Sequence, residues 1–134
     1  MTNLVKGPFE VKITPQSMED KSEAPPLGRM SIGKQYHGDL EATGKGEMLT
    51  AGSAVKGSAG YVAIERVSGK LSGRSGTFVL QHNAIMNRGT PQLNIVVVPD
   101  SGTGELAGIA GKMNIDIVDG KHFYEFEYTL APTP

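Results

Sequence analysis

Lys34, Glu65, His82 and His122 stand in stretches where apolar and polar residues alternate, and each shares its parity with mostly apolar neighbours. In a strand, residues i and i+2 share a face, so this alternation carries the ionisable groups inward with the apolar side chains. An ammonium and a carboxylate taken out of water must pair, hydrogen-bond or lose their charge, because an isolated ion in a low-dielectric interior is strongly disfavoured. A lone inward Glu65 would have a raised pKa and could act as a general acid or base. Paired with Lys34 it is a structural ion pair, and near a wet barrel mouth it is merely a solvated carboxylate. Glu65, His82 and Lys34 are the candidate catalytic residues on this reading.

His82 lies among Phe78, Leu80 and Ala84, while His122 begins a strand beside a tight turn, so both fall toward the same end of the fold as Tyr61. Imidazoles and phenols grouped there could shuttle a proton or hold the polar head of a ligand. The plainer role for such histidines is to be satisfied by backbone carbonyls. The candidate ligand-binding set is Tyr36, Tyr61, Glu65, Phe78, His82, His122, Tyr124 and Tyr128. Tyr124, Phe126 and Tyr128 alternate with Phe123, Glu125 and Glu127. Burying each ring contributes about 1.5 to 3 kcal/mol, so packing alone accounts for them, although their bulk could also line a pocket.

Only two of the three histidines face inward and no carboxylate stands at close spacing, so no metal site is expected. No cofactor is expected either. Gly102-Thr103-Gly104-Glu105-Leu106-Ala107 satisfies the letter of a dinucleotide-binding fingerprint. The fingerprint needs a full helix and a parallel strand, whereas Gly108 and Gly111 interrupt the helix and a hairpin follows. A structural corner is the better account.

The elements that must position these groups are eight short strands. The first is Phe9 to Thr14, with Phe9, Val11 and Ile13 on one side; a connecting loop from Glu19 to Leu27 carries Pro25-Pro26. Strand two, Met30 to Tyr36, meets strand three, Leu40 to Leu49, across His37-Gly38-Asp39. A two-residue loop would set Tyr36, Lys34 and Ile32 beside Glu41, Thr43 and Lys45. A three-residue loop with Gly38 at positive φ pairs them with Leu40, Ala42 and Gly44, and is preferred because it leaves the polar residues facing water. Strands four and five, Tyr61 to Ser68 and Thr77 to Met86, turn near Ser72-Gly73. Asn87-Arg88-Gly89-Thr90 leads to strand six with Leu93, Ile95 and Val97 inward. Asp119-Gly120 is a two-residue hairpin signal that pairs Ile117 with His122, Ile115 with Tyr124 and Met113 with Phe126, leaving Lys112 and Glu127 as an exposed cross-strand pair. Consecutive hairpins without long crossovers predict an all-β fold: a closed, eight-stranded, antiparallel up-and-down barrel with one short helical turn near residues 102–108, capped by Gly102 with Glu105 in its first turn.

With 134 residues the chain reads as one domain over 1–134, and its 18 glycines suit turns and barrel corners better than helices. A net charge of −1 with 13 scattered Lys and Arg residues offers no basic stripe for a nucleic acid. There is no cysteine for a disulfide or thiolate site, no secretory h-region at the start and no membrane-length apolar run. A cytoplasmic location without nucleic-acid or membrane partners is expected. Val62, Ile64, Val79, Ile85, Val96 and Val98 should point outward on strands four to six if Tyr61 and Phe78 point inward. That patch predicts a homo-oligomer through the outer face, or cover from the Glu19 to Leu27 loop.

Three runs carry a family resemblance: Gly76-Thr77-Phe78-Val79-Leu80-Gln81-His82-Asn83; Val98-Pro99-Asp100-Ser101-Gly102-Thr103-Gly104-Glu105-Leu106-Ala107-Gly108; and Gly120-Lys121-His122-Phe123-Tyr124-Glu125-Phe126-Glu127-Tyr128. Together they resemble a bacterial domain-of-unknown-function family with an allene oxide cyclase-like, calycin-like barrel. The resemblance covers nearly the whole chain and implies a closed eight-stranded barrel. Allene oxide cyclases act on an epoxidised fatty acid in the barrel cavity, but none of their working residues maps to a position here, so no catalytic role is carried over. The expected function is binding of a small apolar or amphipathic molecule in the lumen, with isomerase- or cyclase-type activity as its extension. The rival is a non-catalytic barrel, packed solid, acting as an oligomeric structural or protein-interaction module. Lumen volume separates the two.

Overall fold

The computed structural model describes residues 2–18 and 27–130. Eight strands run in chain order: β1 (Asn3–Gln16), β2 (Leu27–Tyr36), β3 (Leu40–Ala51), β4 (Ala59–Leu71), β5 (Arg74–Asn87), β6 (Thr90–Val97), β7 (Ala110–Val118) and β8 (Lys121–Thr129). Each pairs antiparallel with its neighbour, and β8 pairs with β1 to close the barrel. The fold is the all-β up-and-down barrel that the hairpin pattern predicts. Of the expected Glu19 to Leu27 loop, residues 19–26 lie outside the described residues, and Leu27 opens β2. No helix among the described residues is long and apolar enough to cross a membrane.

Strand β1 extends well beyond the expected Phe9–Thr14 because it serves two partners. Asn3 to Phe9 pair with β8, and Phe9 to Gln16 pair with β2. Pro8, which has no N–H for a ladder, stands where the strand changes partner, and its carbonyl accepts the His37 N–H at 3.0 Å.

Three hairpins turn on two residues with positive φ: Ser72-Gly73 (48° and 84°), Arg88-Gly89 (47° and 90°) and Asp119-Gly120 (52° and 76°). Positive φ at both central positions twists the turn to match the flanking strands, and an even loop preserves parity across the hairpin. Tyr61 therefore faces Ala84, Ala63 faces His82, Glu65 faces Leu80 and Val67 faces Phe78, as expected. The pairs Ile117–His122, Ile115–Tyr124 and Met113–Phe126 also form, and Lys112 reaches Glu127 at 3.5 Å on the outer surface.

The β2–β3 corner keeps the preferred parity but not the expected partners. Tyr36 faces Ala42 rather than Leu40, and Lys34 faces Gly44. The Tyr124 hydroxyl occupies this corner: it accepts the Leu40 N–H at 3.0 Å and donates to the His37 carbonyl at 2.8 Å. Leu40 is consequently free to pair with Leu71 on β4, and the β2–β3 ladder begins two residues later.

Strands β6 and β7 are joined over only two residue pairs, Ile95–Met113 and Val96–Lys112. The segment between them folds over the end of the barrel, makes one turn of 3-10 helix at Gly104–Leu106 and buries Leu106 and Ile109 as a plug. Thr103 takes the N-cap position in place of Gly102. It is held extended by Thr77, whose N–H donates to the Thr103 hydroxyl at 3.1 Å while the Thr103 N–H donates to the Thr77 carbonyl at 2.8 Å. Gly102 is needed for close approach, since a Cβ there would collide with the Leu106 carbonyl. Val79, whose N–H donates to the Ser101 hydroxyl of this segment at 3.0 Å, and Val98, where the segment begins, are both half-buried and so leave the exposed outer patch.

The inward side chains divide the lumen along its axis. Toward the plugged end, Tyr36, Leu40, Leu71, Phe78, Leu80, Tyr124, Phe126 and Tyr128 pack solidly with Leu106 and Ile109. Phe126 stacks on Phe78 and Tyr128 with ring centroids 5.5 Å and 5.3 Å apart. Lys34, Glu65 and His82 form the layer beyond this core, and the lumen opens on their far side.

The Tyr124 corner yields a direct test. Tyr124→Phe keeps the ring but strips the Leu40 N–H and the His37 carbonyl of their shared partner, so it should destabilise the protein by about 1–3 kcal/mol with an unchanged urea m-value. An unaltered unfolding midpoint would show that the hydroxyl does not hold the corner.

Candidate functional site

Glu65 projects from β4 between Ala63 and Val67 into the centre of the barrel, fully enclosed. Its Oε1 accepts from Lys34 Nζ at 3.1 Å and from His82 Nε2 at 2.9 Å, while Oε2 accepts from the Tyr36 hydroxyl at 2.5 Å. Lys34 and Tyr36 come from β2, so they reach Glu65 across the intervening strand β3. The inward positions of β3 at this level are Ala42, Gly44 and Gly46, opposite Tyr36, Lys34 and Ile32. Neighbouring strands lie about 4.8 Å apart, and a long side chain can span two such intervals only over a small residue. A Cβ on Gly44 would strike the Glu65 carboxylate and press on the Tyr36 ring, while one on Gly46 would strike the Ile64 carbonyl. The small face of β3 is therefore part of the site.

Burial by itself pushes the Glu65 carboxyl up. The hydrogen bond from His82, the Lys34 charge and the hydrogen bond from Tyr36 outweigh it and hold Glu65 below its usual range. A raised, proton-carrying Glu65 is excluded by this arrangement; the residue is an ionised anchor. Tyr36 is pushed far above its ordinary value, first by burial and then by the adjacent Glu65 charge, so it remains a donor. Lys34 Nζ also lies 5.1 Å from the Phe9 ring centroid and 5.7 Å from that of Tyr36, where the ring faces favour a cation. Among the described residues, no fully buried side-chain nitrogen or oxygen lacks a hydrogen-bond partner.

On the open side of this layer lies a cavity of about 860 Å³. Val11, Met30, Ile32, Met48, Ala84, Leu93 and Ile115 contribute to its wall, and Lys34 and His82 reach its floor while Glu65 stays behind them. Tyr61 and His122 also line it. Tyr61 sits with its ring centroid 6.5 Å from that of His82, and burial followed by the Glu65 charge raises its phenol. His122 packs on Phe9 at 5.3 Å.

Of the residues singled out in the sequence, Lys34, Glu65, His82 and Tyr36 converge in one cluster, and Tyr61 and His122 join Lys34 and His82 around the cavity. Phe78, Tyr124 and Tyr128 lie in the packed half and do not line the cavity. Parity places all of them inward, and Tyr61, His82 and His122 share one end as expected, but parity gives no depth for Phe78, Tyr124 and Tyr128. Phe9 and Gly44 carry roles at the site that sequence parity leaves unassigned. Glycine in the middle of a regular strand is itself a signal of close approach, and Gly44 gives that signal. Among the described residues, no three His, Cys, Asp or Glu side chains converge as a metal site. The fingerprint-like Gly102 to Ala107 run forms the plug of the packed end, with a helical segment of three residues.

The model of the family described as "Protein of unknown function (DUF3224)" matches residues 5–128. One solved structure similar to this chain is the crystal structure of a protein with unknown function from the DUF3224 family of Shewanella oneidensis MR-1. The two are 51% identical, the match covers 99% of this chain and 100% of that one, and the TM-score is 0.95. No curated protein matches the chain.

The cluster predicts a stability profile with two limbs. Because Glu65 is lowered in the folded state, its contribution is fully present above the ordinary carboxylate value of 4.5 and is lost as pH falls through the folded value. Tyr36 is raised, so its contribution is present below the ordinary phenol value of 10.0 and is lost as pH rises through the folded value. Glu65→Gln, which leaves Lys34 buried without a counter-charge, should cost about 3–5 kcal/mol at neutral pH and flatten the acid limb. Tyr36→Phe should flatten the alkaline limb. Urea unfolding across the pH range measures both, and an acid limb undiminished in Glu65→Gln would assign it to other groups.

Proposed function

The chain belongs to the DUF3224 family, and on that footing we propose that it binds a small amphipathic molecule in the open half of its barrel, tail against the apolar wall and polar end on Lys34 and His82. The carrying observation is the cavity of about 860 Å³ above a floor of buried, mutually anchored polar groups. Ligand sites of this kind run to about 300–1,000 Å³, are mostly apolar and hold a few fixed polar groups. A purely structural barrel has no need to keep half its lumen unfilled, since an eight-stranded barrel is about the width that side chains can fill. Isomerase- or cyclase-type chemistry on such a ligand would fall to His82 or Tyr61, because Glu65 is committed to three partners.

A second reading concerns the outside. Leu49, Val62, Ile64, Ile85 and Val96 are 50%, 52%, 51%, 60% and 43% exposed on the outer faces of β3 to β6. Their register brings Leu49 opposite Val62, and Ile64 and Val96 both opposite Gln81, so the apolar side chains form a neighbouring set. An apolar set on the outer face of a sheet supports self-association of the barrel through β3 to β6.

Titration with the uncharged fluorophore Nile red should give saturable binding with blue-shifted emission at one site per chain. Ala84→Trp, which fills the cavity from β5, should weaken that binding by about tenfold or more while the circular dichroism of the barrel stays the same. No saturable binding to the unaltered protein would overturn the reading. For the outer face, the doubly substituted Val62→Glu, Ile64→Glu protein should have a smaller mass by light scattering than the parent. Equal masses would remove the self-association reading.

A further inference from the structure

We propose that the seam between β6 and β7 is a side gate of the barrel: the β5–β6 and β7–β8 hairpins part along it to pass a ligand between solvent and lumen, and rejoin by extending their ladder. The inference rests on the lumen-binding reading and adds the route by which that ligand enters.

The register of this seam is fixed by Ile95–Met113 and Val96–Lys112. Continued toward the open half, it would set Leu93 opposite Ile115, Gln92 opposite Asp116 and Pro91 opposite Ile117. Both strands run that far, since β6 starts at Thr90 and β7 ends at Val118, yet none of these pairs forms. Every other seam of the barrel stays paired to within one residue of a strand end on the open side. Strand length therefore does not end the β6–β7 ladder; the two hairpins diverge.

Alternate residues of an antiparallel strand turn both N–H and C=O toward the same neighbour. Thr90 and Val118 close two-residue turns, so each spends both groups inside its own hairpin. Counting from them, Pro91, Leu93 and Ile95 on β6 and Ile117, Ile115 and Met113 on β7 direct theirs across the seam. Ile95 and Met113 meet, whereas Leu93, Ile115 and Ile117 keep backbone groups that the ladder does not take up. Pro91 has no N–H to offer, so closing the outer end of the seam gains one bond fewer than a regular ladder would. A backbone hydrogen bond formed at a wet edge replaces one to water and gains little, which keeps the open and closed seam close in free energy.

The seam leads into the cavity, which Pro91, Gln92 and Leu93 border on one side and Ile115 and Ile117 on the other. Its approach is apolar: Ile85 is 60% exposed, Ile117 63% and Val118 52%. The groups anchored on Glu65 come from β2, β4 and β5, so parting β6 from β7 leaves the cavity floor in place.

The chain has no cysteine, so a pair introduced across the seam can bond only to itself within the molecule. Gln92 and Asp116 are exposed and stand opposite each other in the continued register without exchanging hydrogen bonds, a relation that puts Cα atoms of joined strands about 4.5 Å apart, within disulfide reach. In the Gln92→Cys, Asp116→Cys protein, oxidised glutathione should form the disulfide, and stopped-flow uptake of Nile red should then be slower by about tenfold or more than in the same protein reduced. Lys70→Cys, Ser75→Cys, placed across the paired β4–β5 seam, should take up Nile red equally fast in both states. In the unaltered protein, the Leu93, Ile115 and Ile117 amides should exchange with deuterium faster than those of Ile95 and Met113. Equal protection of these amides, no disulfide across Gln92 and Asp116, equal slowing in the β4–β5 control, or equal uptake by the oxidised and reduced seam proteins would each overturn the gate, the last by placing entry at the end of the barrel. Failure of the unaltered protein to bind Nile red would instead strike the lumen-binding reading on which the gate rests.

Discussion

A carboxylate with no solvent contact sits at the centre of the barrel, and its charge can persist there only because three donors from two other strands converge on it. Glu65, Lys34, His82 and Tyr36 form a unit whose members cannot be removed singly without stranding a buried polar group. That requirement reaches into the backbone. Strand β3 must present Ala42, Gly44 and Gly46 inward so that β2 side chains can pass over it to β4, and any larger residue at Gly44 would occupy the space of the carboxylate. A replacement of the cluster by apolar groups of like volume would be a gentler way to fill the same space.

The two halves answer to different demands. In the plugged half, stacked rings from β5 and β8 and the Leu106 and Ile109 side chains supply the apolar burial that stabilises a domain of this size. The Tyr124 hydroxyl adds a directional element by satisfying two backbone groups at a corner where the ladder is interrupted. The open half contributes wall residues of moderate size and few rings, so its lumen stays wide. Lys34 and His82 belong to both halves: they are pinned from behind by Glu65 and face the cavity in front. Pinning of this kind holds both polar groups in one position.

Much of this architecture was legible in the chain. Ser72-Gly73 and Asp119-Gly120 announce even hairpins, and even hairpins transmit the parity of one strand to the next, so the inward placement of Glu65, His82 and Lys34 followed from counting residues. The β2–β3 corner shows the limit of counting. Its odd parity could be read at His37-Gly38-Asp39, but the two-residue displacement of the ladder depends on the Tyr124 hydroxyl, which arrives from the far end of the chain. Thr103 displaces Gly102 as the helix cap for a similar reason, since its partner Thr77 lies on another strand. Val79 leaves the outer patch where the plug segment meets it through Ser101, a contact that no local pattern encodes.

The sequence by itself determined the strand count, the hairpin order and which side chains turn inward, because alternation and turn chemistry act over a few neighbouring residues. Position relative to the turns already grouped Tyr61, His82 and His122 at one end; only the tertiary structure decided that Phe78, Tyr124 and Tyr128 fill the other end and that a cavity borders the first group. It also decided that Glu65 is an ionised anchor rather than a lone acid. Depth and pairing are set by strand stagger and barrel closure, which bring together residues from β2, β4 and β5 that no short-range period relates.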